Sequence, residues 1–388
     1  MPAQIIQARH YTSRQVLRVR WPDGTLTGCD AAATHTDTPW WIAPGLFDAQ
    51  VNGFGGVDFQ AEPLSLEAAL AATHALRGAG CTRYLATLVT DEWERLLAKL
   101  SRFRELRARS AELQAAIAGW HLEGPFLSSA PGFHGAHDPA LMLDPTPERL
   151  QRLREVAGND LLLLTVAPER PGAIAAIAQA VRLGIRISLG HTDASAETLA
   201  QAVAAGATGF THLGNACPQL LDRHDNILWR ALTTPGLTVS LIPDGVHVSP
   251  ALFQLIHRLL PTERLVYVSD AMAAGGASPG RYRLGHLEVE VGADGVVRQP
   301  GKSNYAGSAL RPIEGVFRAA RMSGMEWQGA WRRFSEAPCA WLGLPTRLAV
   351  GEPADACLLR VSPAGELEEL RVVGGGRQLE QGGADLPH

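Results

Sequence analysis

Four side chains that can bind a divalent metal ion or transfer a proton each stand at the end of a short apolar run. They are Glu123, His191, His212 and Asp270. Glu123 closes the run that begins at residue 115, and Gly124-Pro125 ends it abruptly. A carboxylate at the end of a buried strand is costly unless a positive partner meets it. Two imidazoles and two carboxylates that converge would suit a divalent metal site with an acid/base group beside it.

A single histidine or glutamate at a strand end is more often a hydrogen-bonded structural residue than a ligand. The joint occurrence of four such residues at strand ends favours the metal site over that interpretation. His121 lies two residues before Glu123, so it shares a face of the strand but lies one layer deeper. We therefore predict that His121 is a buried structural residue and not a ligand.

The elements that must position these residues alternate between short apolar runs and helical patterns. The candidate strands span residues 46–52, 82–88, 117–123, 161–167, 185–191, 208–212, 238–243 and 265–270, and the clearest helices span 64–78, 92–110, 146–157, 171–183, 195–205 and 250–260. This alternation predicts an α/β fold, a (β/α)₈ TIM barrel whose active site lies at the carboxyl ends of the strands. A doubly wound open sheet fits less well, because no GxGxxG turn follows the first strand.

The two ends of the chain have a different character, with short extended pieces in place of alternating strands and helices. The simplest arrangement pairs them in one small β-sandwich domain formed by residues 1–43 and 347–388. The barrel domain then comprises residues 44–346.

Composition excludes several classes of partner. The 388 residues carry a formal net charge of −4 without a basic cluster, so nucleic acid is not an expected partner. The five cysteines form no CxxC pair, as in a reduced cytoplasmic protein. We find no signal peptide and no apolar span of membrane length, so we expect a cytoplasmic protein without a membrane partner.

The order and identity of the strand-end motifs resemble those of the amidohydrolase superfamily and, within it, the N-acetylglucosamine-6-phosphate deacetylases. The resemblance covers nearly the whole chain. It rests on residues 44–53, 121–124, 189–193, 211–216, 244–247, 269–272 and 306–309. Each piece alone would be weak evidence, but their common order makes the set specific.

The resemblance implies that Glu123, His191 and His212 bind one divalent ion, most simply Zn²⁺, and leave a position open for water. The ion would lower the pKa of that water and polarise an amide carbonyl. Asp270 would take a proton from the water and pass it to the departing amine. Where many amidohydrolases have His-x-His, this chain has Gln50 and Asn52. Because amides are poor ligands, we predict a single metal, with these two side chains bonded to its ligands or to water.

The resemblance also implies contacts with a substrate. His137 would contact the substrate carbonyl, with His134 as a nearby competitor for that role. Asn215 and the backbone amide of Ala216 would contact the phosphate and the sugar. His247 would be a further sugar contact.

Arg223 matches an arginine that binds the phosphate, in some members across a dimer interface. As an alternative, Arg223 is an ordinary solvated side chain. The stretch after it, residues 224–227, departs from the Pro-Gly element usual in the family. This departure affects the predicted identity of the sugar and the predicted phosphate contact. It does not affect the predicted metal chemistry.

The predicted function is therefore metal-dependent hydrolysis of the N-acetyl group of an amino-sugar phosphate, N-acetylglucosamine 6-phosphate, by a cytoplasmic homodimer. Alternatives are a deacetylase of N-acetylgalactosamine 6-phosphate, of an unphosphorylated N-acetyl hexosamine or of an N-acyl amino acid. A non-catalytic barrel that binds a sugar phosphate is a rival of another class. It fits less well because a binding protein does not need Asp270.

Overall fold

The computed structural model describes residues 5–21, 24–31, 38–301, 305–346, 348–375 and 377–378. In chain order, the strands are β1 Ile5–His10, β2 Val16–Arg20, β3 Gly28–Ala31, β4 Trp40–Pro44, β5 Leu46–Val51, β6 Gly53–Phe54, β7 Val57–Asp58, β8 Cys81–Val89, β9 Ile117–Glu123, β10 Leu161–Val166, β11 Arg186–Leu189, β12 Gly209–Phe210, β13 Thr238–Leu241, β14 Leu265–Tyr267, β15 Gly280–Leu284, β16 Leu287–Val291, β17 Val297–Arg298, β18 Ala356–Val361, β19 Leu367–Gly374 and β20 Arg377–Gln378. 

The α-helices are α1 Leu66–Gly78, α2 Trp93–Ala108, α3 Ala111–Ala116, α4 Pro147–Ala157, α5 Ala173–Arg182, α6 Ala196–Ala204, α7 Ile227–Thr233, α8 Pro250–Leu259, α9 Pro312–Ser323, α10 Trp327–Arg333 and α11 Glu336–Leu342. Short 3₁₀ turns span Pro139–Leu141 and Thr262–Arg264. Within the described part of the chain, every helix is too short or too polar to cross a membrane.

Eight strands form the predicted parallel barrel. They pair in the order β5, β8, β9, β10, β11, β12, β13 and β14, and a parallel bridge between Val51 and Ala271 joins the two ends of the sheet. Helices follow most of the strands, as in βα units. The prediction of a (β/α)₈ barrel is therefore confirmed.

Three predicted strands end earlier than expected. His191, His212 and Asp270 lie just beyond β11, β12 and β14, with φ angles of 53°, 31° and 51°. A positive φ is incompatible with an extended strand, so the ladder stops before each of these residues. The predicted helix 92–110 likewise ends at Ala108, because Ser110 caps the separate helix α3 by accepting a bond from Leu113 N.

The interior of the barrel contains a layer of polar side chains below the strand ends. His121 Nε2 lies 2.8 Å from Thr165 Oγ1, and Thr165 Oγ1 lies 3.0 Å from Thr211 Oγ1. Thr211 in turn bonds to Ser188 Oγ at 2.7 Å. These groups are buried and satisfy one another, as polar groups in a low-dielectric interior must. His121 is thus a buried structural residue, as predicted.

The two chain ends form one seven-stranded sheet, in the order β20, β19, β18, β4, β1, β2 and β3. The strands pair antiparallel except for β1 and β4, which are parallel. The predicted joining of both ends in one β-structure is confirmed, whereas the proposed domain limits stay a prediction. Residues 1–4, 22–23, 32–37, 347, 376 and 379–388 of the predicted domain lie outside the described residues.

A smaller antiparallel sheet of β15, β16 and β17 follows the last barrel strand and is absent from the sequence prediction. It contacts the two-stranded sheet of β6 and β7, where Gly285 N donates to Asp58 Oδ2 at 2.8 Å. His286, in the turn between β15 and β16, has its Nε2 3.4 Å from Oδ1 of Asp91, which follows β8.

The junction between β5 and β14 depends on a buried carboxylate. Asp48 is fully buried, and its Oδ1 accepts bonds from Gln50 N at 3.1 Å and Ser269 N at 3.2 Å. Its Oδ2 lies 3.1 Å from the same Ser269 N. Among the described residues, only the bridge between Val51 and Ala271 pairs the backbone of β5 with the segment after β14. The Asp48 side chain therefore supplies hydrogen bonds that a neighbouring strand supplies elsewhere in the barrel.

We expect the Asp48→Ala variant to lose about 2–5 kcal/mol of unfolding free energy, because two buried N–H groups would lack an acceptor. Urea denaturation followed by circular dichroism measures this change. Asp30→Ala is the matched control, since Asp30 is exposed and its ion pair with Arg20 lies at the surface. Equal stability of Asp48→Ala and the wild type would contradict this role.

Candidate active site

Glu123 lies at the centre of the site, at the last position of β9. Its Oε1 lies 2.7 Å from His212 Nε2 and 3.3 Å from His191 Nε2. All three side chains are buried, and their candidate ligand atoms lie within 4.8 Å of one another. The structure thus brings together the three predicted metal ligands from three different strand ends.

The electrostatics of this cluster favour a bound cation. Burial opposes the charged form of Glu123, but His212, His137 and His191 outweigh that effect and hold its pKa well below the usual range. Burial lowers the pKa of His191 to about 4, so this imidazole is neutral. A buried carboxylate beside a neutral imidazole presents negative charge and a lone pair to the space between them.

The donor set fits a divalent metal ion such as zinc. One carboxylate and two imidazoles are the donors of many catalytic zinc sites, which keep one position open. His191 Nδ1 lies 2.9 Å from the carbonyl oxygen of Phe133, to which it donates. That bond fixes the tautomer and leaves Nε2 as the lone-pair donor towards Glu123 and the metal position.

Backbone strain is concentrated at the same residues. The left-handed φ angles of His191, His212 and Asp270 cost about 1–3 kcal/mol each for residues other than glycine. Hydrogen bonds from other segments hold two of these conformations. His212 N donates to Ser240 Oγ at 2.7 Å, and the carbonyl of Asp270 accepts a bond from Ser308 N at 2.9 Å.

Asp270 accepts hydrogen bonds from two amide side chains, Gln50 and Asn52, and Gln50 also joins it to Glu123. Its Oδ1 accepts bonds from Asn52 Nδ2 at 2.8 Å and from Gln50 Nε2 at 3.0 Å. The same Gln50 nitrogen also donates to Glu123 Oε1 at 2.9 Å. Both amides therefore present N–H groups to carboxylates, which is a geometry for orienting them and not for ligating a metal.

The environment of Asp270 suits proton transfer. Burial, together with the charge of Glu123, raises the pKa of Asp270 to about 6. A carboxylate with a pKa nearer to neutrality is a better base than an exposed aspartate and can also return the proton. The predicted acid/base group therefore lies next to the metal position with a suitable affinity for protons.

His137 lies on the same side of the cluster as His191. Its Nε2 is 3.7 Å from Glu123 Oε2, and its ring centroid is 4.7 Å from that of His191. Thr90 orients the ring, since Thr90 Oγ1 lies 2.8 Å from His137 Nδ1. His134 instead bonds through Nδ1 to the backbone oxygen of His137 at 3.1 Å. Of the two competing histidines, His137 is thus the one that the structure sets against Glu123.

The remaining predicted residues differ in how they are held. The side chain of His247 is 5% exposed and is oriented by Asp244, whose Oδ2 accepts from His247 Nδ1 at 2.6 Å. Asn215 follows His212 closely and donates to its carbonyl oxygen at 3.1 Å, and Ala216 has a left-handed φ of 51°. Arg223 is exposed, and its guanidinium bonds none of the described residues, so the structure leaves it outside the cluster.

Sequence reasoning did not assign the two residues that orient histidines, Thr90 and Asp244. Thr90 comes directly after β8, and Asp244 follows β13 by three residues. Both positions are at the carboxyl end of a barrel strand, which is the signal that could have identified them.

The chain has close relatives among known enzymes, although no family model matches it. It is 30% identical over 362 residues to an N-acetylglucosamine-6-phosphate deacetylase of Vibrio furnissii, covering 91% of this chain and 88% of the relative. It is 32% identical to an N-acetylgalactosamine-6-phosphate deacetylase of Escherichia coli O157:H7, over 84% of this chain and 85% of the relative. 

One solved structure has the same fold and a related sequence. It is an aspartate-to-alanine mutant of N-acetyl-D-glucosamine-6-phosphate deacetylase from Mycobacterium smegmatis in complex with N-acetyl-D-glucosamine 6-phosphate. The TM-score is 0.85 at 32% identity, with 97% of this chain and 99% of that chain covered.

We expect Glu123→Gln to lower the affinity for Zn²⁺ on the order of 100-fold, because the amide removes both the negative charge and a good oxygen ligand. Competition with a chromogenic chelator gives the affinity, and mass spectrometry of the dialysed protein gives the bound metal. Glu314→Gln, on helix α9, makes the same chemical change away from the cluster and should bind as the wild type does. A Glu123→Gln variant with wild-type affinity would exclude Glu123 as a ligand.

Proposed function

Because this chain belongs to the N-acetylglucosamine-6-phosphate deacetylase family, we propose that it hydrolyses the N-acetyl amide of N-acetylglucosamine 6-phosphate to acetate and glucosamine 6-phosphate. One observation carries this proposal beyond family membership. Gln50 Nε2 bonds at once to Glu123 of the candidate metal cluster and to Asp270, so a cation site and a proton-transfer group share one pocket. Amide hydrolysis needs both.

We propose one divalent ion, Zn²⁺, held by Glu123, His191 and His212. When bound, it supplies Lewis acidity, which makes water more acidic and an amide carbonyl more electrophilic. Gln50 and Asn52 are not ligands in this proposal, because their N–H groups face carboxylate oxygens. 

Asp270 is the proposed proton carrier. It takes a proton from the attacking water as the water oxygen bonds to the acetyl carbon. It then gives a proton to the amide nitrogen as the C–N bond breaks, so that the amine leaves neutral. Gln50 and Asn52 hold the carboxylate in place through both transfers. His137, oriented by Thr90, donates a hydrogen bond to the acetyl oxygen on which negative charge develops.

The rest of the substrate would bind at the carboxyl face of the barrel. Asn215 and the amide of Ala216 are proposed to contact the sugar phosphate, and His247 the sugar. Arg223 is exposed and free in one chain, and Arg is well suited to bidentate phosphate binding. We therefore propose that Arg223 binds the phosphate in the partner subunit of a cytoplasmic homodimer.

N-acetylgalactosamine 6-phosphate is the second candidate substrate. The similarity to a deacetylase of that epimer, at 32% identity over 84% of this chain, supports it. The two sugars differ in one hydroxyl orientation, so the same metal chemistry serves either.

We expect the zinc-loaded enzyme to release acetate from N-acetylglucosamine 6-phosphate with a kcat/KM about 10- to 100-fold above that for N-acetylglucosamine, because charge-assisted bonds to the phosphate would be lost. Acetate release measured by a coupled assay gives both values, and N-acetylgalactosamine 6-phosphate is run in parallel. Faster release from the galactose epimer would favour the second candidate. Equal rates with and without phosphate would contradict the proposed phosphate contacts.

We expect Asp270→Asn to reduce kcat about 10²- to 10⁴-fold, because the amide cannot accept the proton of water. Metal content should stay unchanged, since Asp270 is not a proposed ligand. Asp193→Asn is the matched control, because Asp193 is exposed near the same face and pairs with Arg230. Wild-type turnover in Asp270→Asn would remove Asp270 from the mechanism.

A further inference from the structure

Strand β10 lies between β9, which ends in Glu123, and β11, which His191 follows. It pairs with both in parallel, yet it carries none of the three candidate metal ligands. Immediately after β10, Ala167 N donates to the carbonyl of Phe126 at 2.9 Å. Because Phe126 comes three residues after Glu123, the end of β10 is fixed to the segment that leaves this ligand.

Glu169 lies in the turn after β10 and bonds to the turn after β11. Its Oε1 accepts a bond from Asp193 N at 2.9 Å, and its Oε2 accepts a bond from the hydroxyl of Thr192. Thr192 Oγ1 in turn accepts a bond from Ala194 N at 3.0 Å. Both oxygens of one carboxylate are therefore engaged by the two residues that directly follow His191.

These bonds act next to a strained backbone. His191 has a φ of 53°, and a residue other than glycine keeps such a conformation only when its surroundings fix it. The carbonyl of His191 accepts a bond from Ser128 N at 3.0 Å, and its imidazole donates to the carbonyl of Phe133. Glu169 adds the constraint on the chain that follows, so the left-handed turn cannot relax towards α6.

An ordinary surface glutamate does not explain this arrangement. Glu169 is exposed, whereas Thr192 is 1% exposed. A solvated glutamate would keep its side-chain freedom, and ordering it costs conformational entropy. Here both oxygens point at one turn, and one of them satisfies a buried hydroxyl, which needs a partner. Hydrogen bonds to a charged acceptor are also stronger than those to a neutral one.

We propose that Glu169 is a positioning residue for the metal centre. Its carboxylate holds residues 192–193 so that His191 Nε2 is directed at the metal position beside Glu123. Glu169 itself contacts neither the metal nor the substrate, and it transfers no proton. The inference rests on the metal centre of the proposed function, since it names a further residue on which the affinity of that centre depends.

The first test is the affinity for Zn²⁺, measured by competition with a chromogenic chelator. Glu169→Ala removes both acceptors and should lower this affinity about 10- to 100-fold, as for other groups that orient metal ligands. Glu169→Gln should stay within about threefold of the wild type, because its amide oxygen can accept from Asp193 N and its NH₂ can donate to Thr192 Oγ1.

Glu197→Ala is the matched control. Glu197 is equally exposed and lies in the first turn of the helix that follows, but its Oε1 accepts a bond from Gln201 Nε2, at 3.3 Å, within that helix. This variant should bind Zn²⁺ as the wild type does. Melting temperature and circular dichroism show whether each variant is folded.

The second test is the visible absorption of the Co²⁺-loaded protein, which depends on the ligands and their geometry. Glu169→Ala should alter this spectrum, whereas Glu169→Gln and Glu197→Ala should keep it. A merely structural role of Glu169 would lower the melting temperature and leave both the spectrum and the affinity of the folded protein unchanged.

Thr192→Val provides a second variant if Glu169→Ala does not fold. It removes one of the two donors to Glu169 and keeps the branched shape of the side chain. We expect a smaller loss of Zn²⁺ affinity, about 3- to 10-fold.

Wild-type affinity and spectrum in both Glu169→Ala and Thr192→Val would overturn the inference. A Glu169→Gln variant as weak as Glu169→Ala would also contradict it, since charge and not hydrogen bonding would then be responsible. Acetate release separates this inference from the proposed function. A wild type that binds Zn²⁺ but releases no acetate would contradict the proposed function alone, whereas an unchanged Glu169→Ala variant of an active enzyme would contradict the positioning role alone.

Discussion

The burial of one negative charge determines how this site is built. Glu123 ends β9 inside the barrel mouth, where an unpaired carboxylate would be strongly disfavoured. Two imidazole nitrogens and the amide of Gln50 approach the same oxygen, within 2.7–3.3 Å. Each of these partners comes from a different barrel strand or the turn after it. The strand ends that carry these partners must therefore converge on Glu123. The barrel makes this possible because it brings the carboxyl ends of its strands together at one face.

The strained conformations at the strand ends have a common physical basis. A strand residue points its side chain across the sheet, whereas a left-handed residue turns the chain and projects its side chain over the barrel mouth. His191, His212 and Asp270 all do this. Hydrogen bonds from adjacent strands compensate for the conformational cost, so part of the stability of the barrel is used to fix the geometry of the cluster.

The sequence predicted the barrel and the central cluster well, because both follow from local patterns. Apolar runs that end in Glu123, His191, His212 and Asp270 identify strands and their carboxyl ends. The early ends of three strands were not predictable, since a positive φ depends on tertiary bonds such as His212 N to Ser240 Oγ. The sheet of β15–β17 was missed because short strands of mixed charge carry a weak periodic signal. The orienting roles of Thr90 and Asp244 depend on contacts between distant segments, which periodicity does not reveal.

The sheet of the chain ends has a consequence for biosynthesis. Strand β4 pairs on one edge with β1 and on the other with β18, and Pro44 faces Ala356 across the second pairing. A ribosome therefore makes the whole barrel before β18 emerges, and until then the nascent β4 has an unsatisfied edge. Such edges recruit foreign strands and promote aggregation. Completion of this sheet thus follows synthesis of the whole barrel, and chaperone protection of the N-terminal strands would matter most during that interval.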